Sequence, residues 1–228
     1  MLMYKQRNVM VKKIIGRREE RKQLKNRLAS KDAEFIAVYR RRRVGKTYLI
    51  KYAIENVGLN SIEVTGLKDG NLRNQLDIFM RAFEKTFQPQ PMYNLALPVN
   101  WMEAFDLLTK AIDRLPRKTP FVVFLDELPW LATAKSGFLQ ALDHFWNTEW
   151  VNRSNIKFIA CGSAASWILD NIVNAKGGLH NRLTMSILLK PFNLQETVEF
   201  LSSRSIRMNA TQILDLYLVM GGIPFYLK

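Results

Sequence analysis

The chain holds little of what binds soft metals or closes disulfides. Cys161 is its single cysteine, and its two histidines, His144 and His180, lie far apart among 228 residues. One thiol closes no internal disulfide, which fits a reducing, cytoplasmic setting, and so small a set of soft ligands argues against a structural zinc site. Long apolar runs are missing too. No stretch approaches the roughly 18 apolar residues of a membrane-spanning helix, and the uncharged residues 216–227 are broken by Gly221, Gly222 and Pro224. The basic N-terminus lacks the apolar segment of a secretory signal. Acidic residues are scarce in one place: residues 1–51 carry 17 Lys/Arg against 4 Asp/Glu, whereas the remaining 177 carry 17 against 16.

The net charge of +14 is therefore concentrated near the N-terminus. Such a patch suits an anionic partner, nucleotide or nucleic acid, or is simply the solvated face of a basic helix over residues 17–27. DNA contact through this region is one expectation, although no aromatic-interleaved basic surface or reader motif accompanies the charge. A hydrophobic content of 48% is enough for a sizeable core.

Apolar periodicity orders the rest. A charged helix is expected over about 17–30, with Leu24 and Leu28 inward at i, i+4 spacing. Short apolar runs at 35–39, 62–65, 121–125, 156–160 and 185–189 read as buried strands. Helices are expected at 46–56, 70–86, 101–115, 136–148, 164–172, 194–203 and 209–219, with a proline-bearing loop at 88–98 and a connector at 174–178. Strands alternating with helices predict a three-layer α/β fold on a five-stranded parallel sheet. Residues 1–13 are expected to be a basic extension, 14–192 the α/β domain, and 193–228 the start of a small helical lid. Trp130, Trp146, Trp150 and Trp167 are expected to pack in the core or between helices.

The strand at 35–39 runs into Arg40-Arg41-Arg42-Arg43-Val44-Gly45-Lys46-Thr47. This is the pattern G-x-x-x-x-G-K-[ST] with arginine in place of the leading glycine. The triplet alone carries little, but it sits between a predicted strand and a predicted helix, the context in which backbone N–H groups converge on phosphate oxygens. Lys46 would reach the β- and γ-phosphates, and the Thr47 hydroxyl would ligate Mg²⁺. A lysine at a helix N-terminus is otherwise disfavoured by the helix dipole. Arg40 could crowd the turn that a glycine would make freely, or its charge could favour an anion.

Five apolar residues, 121–125, end in Asp126 and Glu127. An acid at the end of a buried central strand can hold Mg²⁺ from the phosphate side, which suits Asp126, and Glu127 can act on the attacking water as general base. Ser163 ends the next strand and reads either as a sensor of the γ-phosphate or as a helix N-cap. Arg182 reads either as a transition-state cation, acting within the chain or across an interface, or as a surface arginine.

Together these residues resemble the archaeal-type P-loop ATPases of the STAND and AAA+-like class. Ile15-Gly16-Arg17 with Glu19-Glu20 resembles the N-terminal box of that family, which implies Gly16 and Arg17 near the adenine. Arg41, Arg42, Arg43, Val44, Gly45, Lys46 and Thr47, with Tyr48 following, look like its arginine-rich phosphate loop. Phe124-Leu125-Asp126-Glu127 looks like its Walker B strand, Cys161-Gly162-Ser163 its sensor strand, and Gly178-Leu179 with Arg182 a further element. Gly221-Gly222-Ile223-Pro224 is similar to its G-x-P motif, which implies Pro224 near the base. The resemblance implies ATP and Mg²⁺ as ligands and slow hydrolysis coupled to a switch between states. Family members usually continue beyond this motif, so the chain is expected to be truncated there.

Overall fold

The computed structural model describes residues 14–87, 96–116, 119–175 and 179–228. The 1–13 extension, most of the proline loop and Gly178 lie outside the described residues. Five strands, β1 (Glu34–Tyr39), β2 (Asn60–Thr65), β3 (Phe121–Asp126), β4 (Ile156–Gly162) and β5 (Met185–Leu188), pair in parallel in the order β2-β3-β4-β1-β5. The three inner strands are buried at every position, as expected of continuous apolar runs covered on both faces. The outer two alternate between buried and exposed residues, as edge strands do.

Side-chain alternation sorts the inner strands onto two cores. Ile36, Val38, Val122, Phe124, Ile159 and Cys161 face α1 (Arg18–Leu28) and α2 (Lys46–Val57), meeting Leu24, Leu28, Leu49 and Ile50. Phe35, Ala37, Val123, Leu125, Phe158 and Ala160 face the other way. They meet α3 (Leu72–Phe87), α4 (Trp101–Asp113), α5 (Leu128–Leu131) and α6 (Phe138–Phe145). The result is the expected three-layer α/β arrangement.

Two predicted helices differ in detail. The 136–148 segment is α6 followed by a π-helical turn, Trp146–Trp150, and the 164–172 segment is α7 (Ala165–Ile168) followed by a second, Leu169–Val173. The wider first turn carries both Trp146 and Trp150 into the core, and the Trp150 indole N–H donates to Thr109 Oγ1 at 2.9 Å. Trp130 and Trp167 are half-buried at the rim.

After β5 the chain forms α8 (Leu194–Ser202) and α9 (Ala210–Met220), each opened by a capping box, Asn193 with Glu196 and Asn209 with Gln212. Phe192, Phe200 and Leu227 make a third apolar cluster against Ile15, Leu216 and Met220. The C-terminal helices thus close back on the start of the described chain.

Candidate nucleotide site

A parallel sheet gathers the C-terminal ends of its strands on one edge. Here β1 delivers loop 40–45, β3 delivers Asp126 and Glu127, and β4, lying between them, delivers Ser163. The register sets Tyr39 beside Gly162 and Leu125 beside Ala160, so the three strand ends stop at nearly one level.

The loop turns tightly without a glycine at its start. Left-handed backbone occurs at Arg43 (φ 72°) and Gly45 (φ 94°), while Arg40 is absent from the left-handed positions and its N–H reaches toward Gly162 O at 3.5 Å. The strain falls on Arg43, since left-handed backbone is costly for a residue with a Cβ. Lys46 is buried, and its Nζ donates back to the loop carbonyls of Arg40 (2.8 Å) and Arg41 (3.2 Å). Next to it, a Cβ placed on Gly45 would meet no atom within 4 Å. The loop therefore wraps an ammonium around open space ahead of α2, a cradle with room and charge for a phosphate.

Thr47 and Asp126 meet, the Thr47 hydroxyl donating to Asp126 Oδ2 at 2.7 Å. Among the described residues there is no cluster of three or more His, Cys, Asp or Glu able to hold a metal. One hydroxyl and one carboxylate is a donor set that fits Mg²⁺, which takes oxygen ligands and shares its shell with phosphate and water. Glu127 sits at φ 47°, ψ 47°, in the sharp turn from β3 into α5. Its Oε2 accepts from the Ser163 N–H (2.9 Å) and hydroxyl (2.7 Å), so the general-base candidate is held as an acceptor by the sensor candidate. Ser163 is not a helix cap: α7 starts from Ala164, with no side-chain cap bond. Beneath them, burial first and the Asp126 carboxylate second push the Cys161 thiol well above its ordinary pKa.

The arginines diverge. The Arg41 and Arg42 side chains are exposed; Arg42 Nε donates to Ser163 Oγ (3.4 Å), and its guanidinium lies 4.8 Å from the Trp130 ring centre. Arg43 turns to the C-terminal segment, stacking on Phe225 (4.6 Å) and Tyr226 (5.3 Å) and donating to the Tyr226 hydroxyl at 2.8 Å. Half-buried Pro224 precedes this pair. Val44 is buried, and its carbonyl accepts from Arg17 at 3.2 Å. Tyr48 is exposed on the first turn of α2, burial raising its pKa.

Gly16 and Arg17 form a joint between α1 and α8. Glu196 accepts from the Arg17 N–H (2.6 Å) and from the Asn193 N–H (3.1 Å), and the Arg17 guanidinium lies 4.7 Å from the Phe192 ring centre. Gly16 needs to be glycine twice over: its φ is 63°, and a Cβ would fall 2.6 Å from Glu196 Oε1. Burial lowers the pKa of Arg17, opposed by Glu196 and then Glu20. A cleft of about 370 Å³ opens beside this joint, lined among others by Gly16, Arg17, Glu20, Pro191 and Glu196.

Arg182 stands apart from the C-terminal strand ends in the sheet register. It precedes β5, whose Met185 is level with Ile36, and the Thr184 N–H donates to Phe35 O. Its backbone therefore lies toward the N-terminal end of the strands, whereas the loop follows Tyr39 at their C-terminal end. The basic stretch is also divided: Arg17 is buried, Arg18 pairs with Glu199 (3.0 Å) and Arg27 with Glu34 (3.6 Å), so α1 is not a uniform cationic face.

Sequence reasoning missed Glu196, Phe192, Trp130 and the Phe225-Tyr226 pair. The Asn193-x-x-Glu196 spacing was a readable capping signal; the long-range partners of the others carry no local signal.

A family model described as an ATPase domain predominantly from Archaea matches residues 15–228. An uncharacterized protein of Methanocaldococcus jannaschii is 27% identical over 214 residues, 94% of this chain and 43% of its own length. Among solved structures, a Walker-type ATPase of Pyrococcus abyssi superposes with a TM-score of 0.65 at 21% identity, over 94% of this chain and 65% of that one. The ORC2 protein of Aeropyrum pernix, in ADPNP–ADP complexes, gives 0.60 at 20%, over 90% and 56%. A STAND protein of Pyrococcus horikoshii with a tetratricopeptide repeat sensor gives 0.54 at 19%, over 94% and 29%. These structures bear on the fold, and the chain spans less than two thirds of the length of each of these relatives. Among the described residues no helix is long and apolar enough to cross a membrane. The family match extends over nearly the whole chain, through loop, strand-end acids and C-terminal helices alike, and the chain belongs to the family of ATPase domains found predominantly in Archaea.

Proposed function

We propose that the chain binds ATP on the loop from Arg40 to Thr47 and hydrolyses it slowly with Mg²⁺, the two nucleotide states serving as a switch. The observation that carries this reading is the 2.7 Å contact between Thr47 and Asp126. Two residues 79 apart in sequence, one in the first turn of α2 and the other at the end of β3, present a hydroxyl and a carboxylate together beside a buried lysine. Lys46 exchanges its loop carbonyls for phosphate oxygens, and the N–H groups at the start of α2 face the same space. Thr47 and Asp126 would hold Mg²⁺, which when bound would supply positive charge to neutralise the phosphates. Glu127 takes a proton from the attacking water at its carboxylate, and Ser163 fixes the orientation of that carboxylate. Gly16, Arg17 and Pro191 border the cleft assigned to the base, and Pro224 is assigned to the same base by its G-x-P motif.

In this reading residues 14–192 are the ATPase domain and 193–228 the start of a helical lid, in a cytoplasmic protein. Arg40 spares the site, because the loop does not use left-handed backbone there. The test is a titration with labelled ATP and Mg²⁺ beside Lys46→Ala. Loss of binding in the variant is expected, and equal binding by both proteins would remove the assignment of Lys46. Phosphate release equal in the parent and Glu127→Gln would remove the hydrolytic role of Glu127.

A further inference from the structure

We propose that Arg42 is a γ-phosphate ligand supplied by the loop itself, held ready on Trp130 and wired through Ser163 to Glu127, so that this one side chain distinguishes ATP from ADP. The proposal rests on the reading that nucleotide occupies the 40–47 loop.

Four arginines follow one another from Arg40 to Arg43. Arg43 is committed to Phe225 and Tyr226, and Arg41 gives its carbonyl to Lys46. Arg42 turns toward Ser163 and, through it, the Glu127 carboxylate. Its guanidinium stacks over Trp130, and among the described residues only its Nε has an acceptor, Ser163 Oγ. The same serine donates to Glu127 through both its N–H and its hydroxyl. The terminal nitrogens are left over, side by side in the plane that matches two oxygens of a phosphate.

Trp130 is a fixed platform. Its backbone N–H donates to Glu127 O at 2.8 Å, and its Cβ is so close to the Gly66 backbone that a Cβ there would fall 2.9 Å away. An exposed arginine over a tryptophan at the rim is weakly held, and 3.4 Å is a long hydrogen bond. These contacts orient the fork without competing strongly with an anion. An α- or β-phosphate is already served by the loop N–H groups and Lys46. The added contact from Arg42, on the side of Ser163 and Glu127, is therefore selective for the terminal phosphate. Because Nε and the terminal nitrogens belong to one rigid group, a phosphate that fixes Arg42 also fixes Ser163 and the carboxylate it holds.

The test is calorimetric titration of the protein with Mg²⁺ and either a non-hydrolysable ATP analogue or ADP, on the parent, Arg42→Ala, Arg42→Lys and Trp130→Phe. Arg42 and Trp130 lie at the surface or rim, and thermal melts check that each variant folds. Losing a charged bidentate contact should weaken the ATP analogue about 10- to 100-fold in Arg42→Ala, with ADP affinity changed less than about threefold. Arg42→Lys should recover only part of the loss, since lysine keeps the charge without the fork. Trp130 emission, taken as the parent minus Trp130→Phe, should change with the ATP analogue and not with ADP. Equal weakening of both nucleotides in Arg42→Ala, or no weakening of either, overturns the assignment while leaving the site reading intact. Failure of the parent to bind ADP at all overturns the site reading, and the assignment with it.

Discussion

Replacing Glu196 by alanine should cost more stability than an ordinary half-exposed glutamate would. The carboxylate accepts from the part-buried Arg17 N–H at 2.6 Å and from the Asn193 N–H at 3.1 Å, closing the capping box of α8. A hydrogen bond to a charged acceptor contributes about 1.5–3 kcal/mol, and loss of a capping interaction costs about 1 kcal/mol. The Arg17 guanidinium also loses the larger of the two charges that offset its burial. Together these give about 2–4 kcal/mol, or roughly 5–15 °C in melting temperature for a chain of this size. Glu196→Gln keeps one good acceptor oxygen and should fall between parent and alanine. The assay is a thermal melt followed by circular dichroism in low salt, without nucleotide. An alanine variant melting within about 2 °C of the parent would refute the reasoning, because the joint between α1 and α8 would then contribute no more than an exposed side chain.

Gly222→Ala should destabilise by more than about 3 kcal/mol, because its Cβ would fall 2.1 Å from Phe192 O, whereas Gly221→Ala, with nothing within 4 Å, should show only the left-handed backbone cost of about 1–2 kcal/mol; chemical denaturation of the two variants makes the comparison. Arg40→Gly should change ATP affinity by less than about threefold, since Arg40 is not in left-handed backbone, and a tenfold gain on titration would show that Arg40 obstructs the loop. Asp126→Asn should remove most of the Mg²⁺ dependence of ATP affinity, read as titrations with and without EDTA. Cys161 is fully buried with its pKa raised, so an alkylating reagent should modify it only in denaturant. Raising an acid's pKa on folding means the native state holds the proton longer. The contribution of Cys161 is thus complete below the ordinary thiol pKa and lost as pH rises above it, by up to about 1.4 kcal/mol per pH unit, and Cys161→Ala should flatten that alkaline decline.

The fold was legible because the five strands are short apolar runs between charged helices, and each run became a strand within a residue or two. The loop and its acids were legible for the same reason, as polar residues where an apolar run stops. Side-chain direction was not. That Ser163 holds Glu127 instead of capping a helix depends on the turn at Glu127 and on β4 lying beside β3, which local sequence does not state. The motif around Arg182 carries no information on level in the sheet, which parallel pairing sets: residues before β5 start near the N-terminal ends of the strands. The π turns at Trp146 and Leu169 were hidden because the apolar spacing of one wide turn is close to that of an α-helix.

The joint at Arg17 has a consequence for how the protein comes apart. One short buried path runs from the Val44 carbonyl to the Arg17 guanidinium, across the face of Phe192, and through the Phe192 N–H to the Gly222 carbonyl at 2.8 Å. The phosphate loop and the chain's last helices are thereby tied through a side chain that neither can release alone. Melting of the C-terminal helices and loosening of the loop should be one cooperative event, with amide exchange at Phe192 and at Leu49, whose N–H is bonded to Gly45 O, slowed together when the loop is filled.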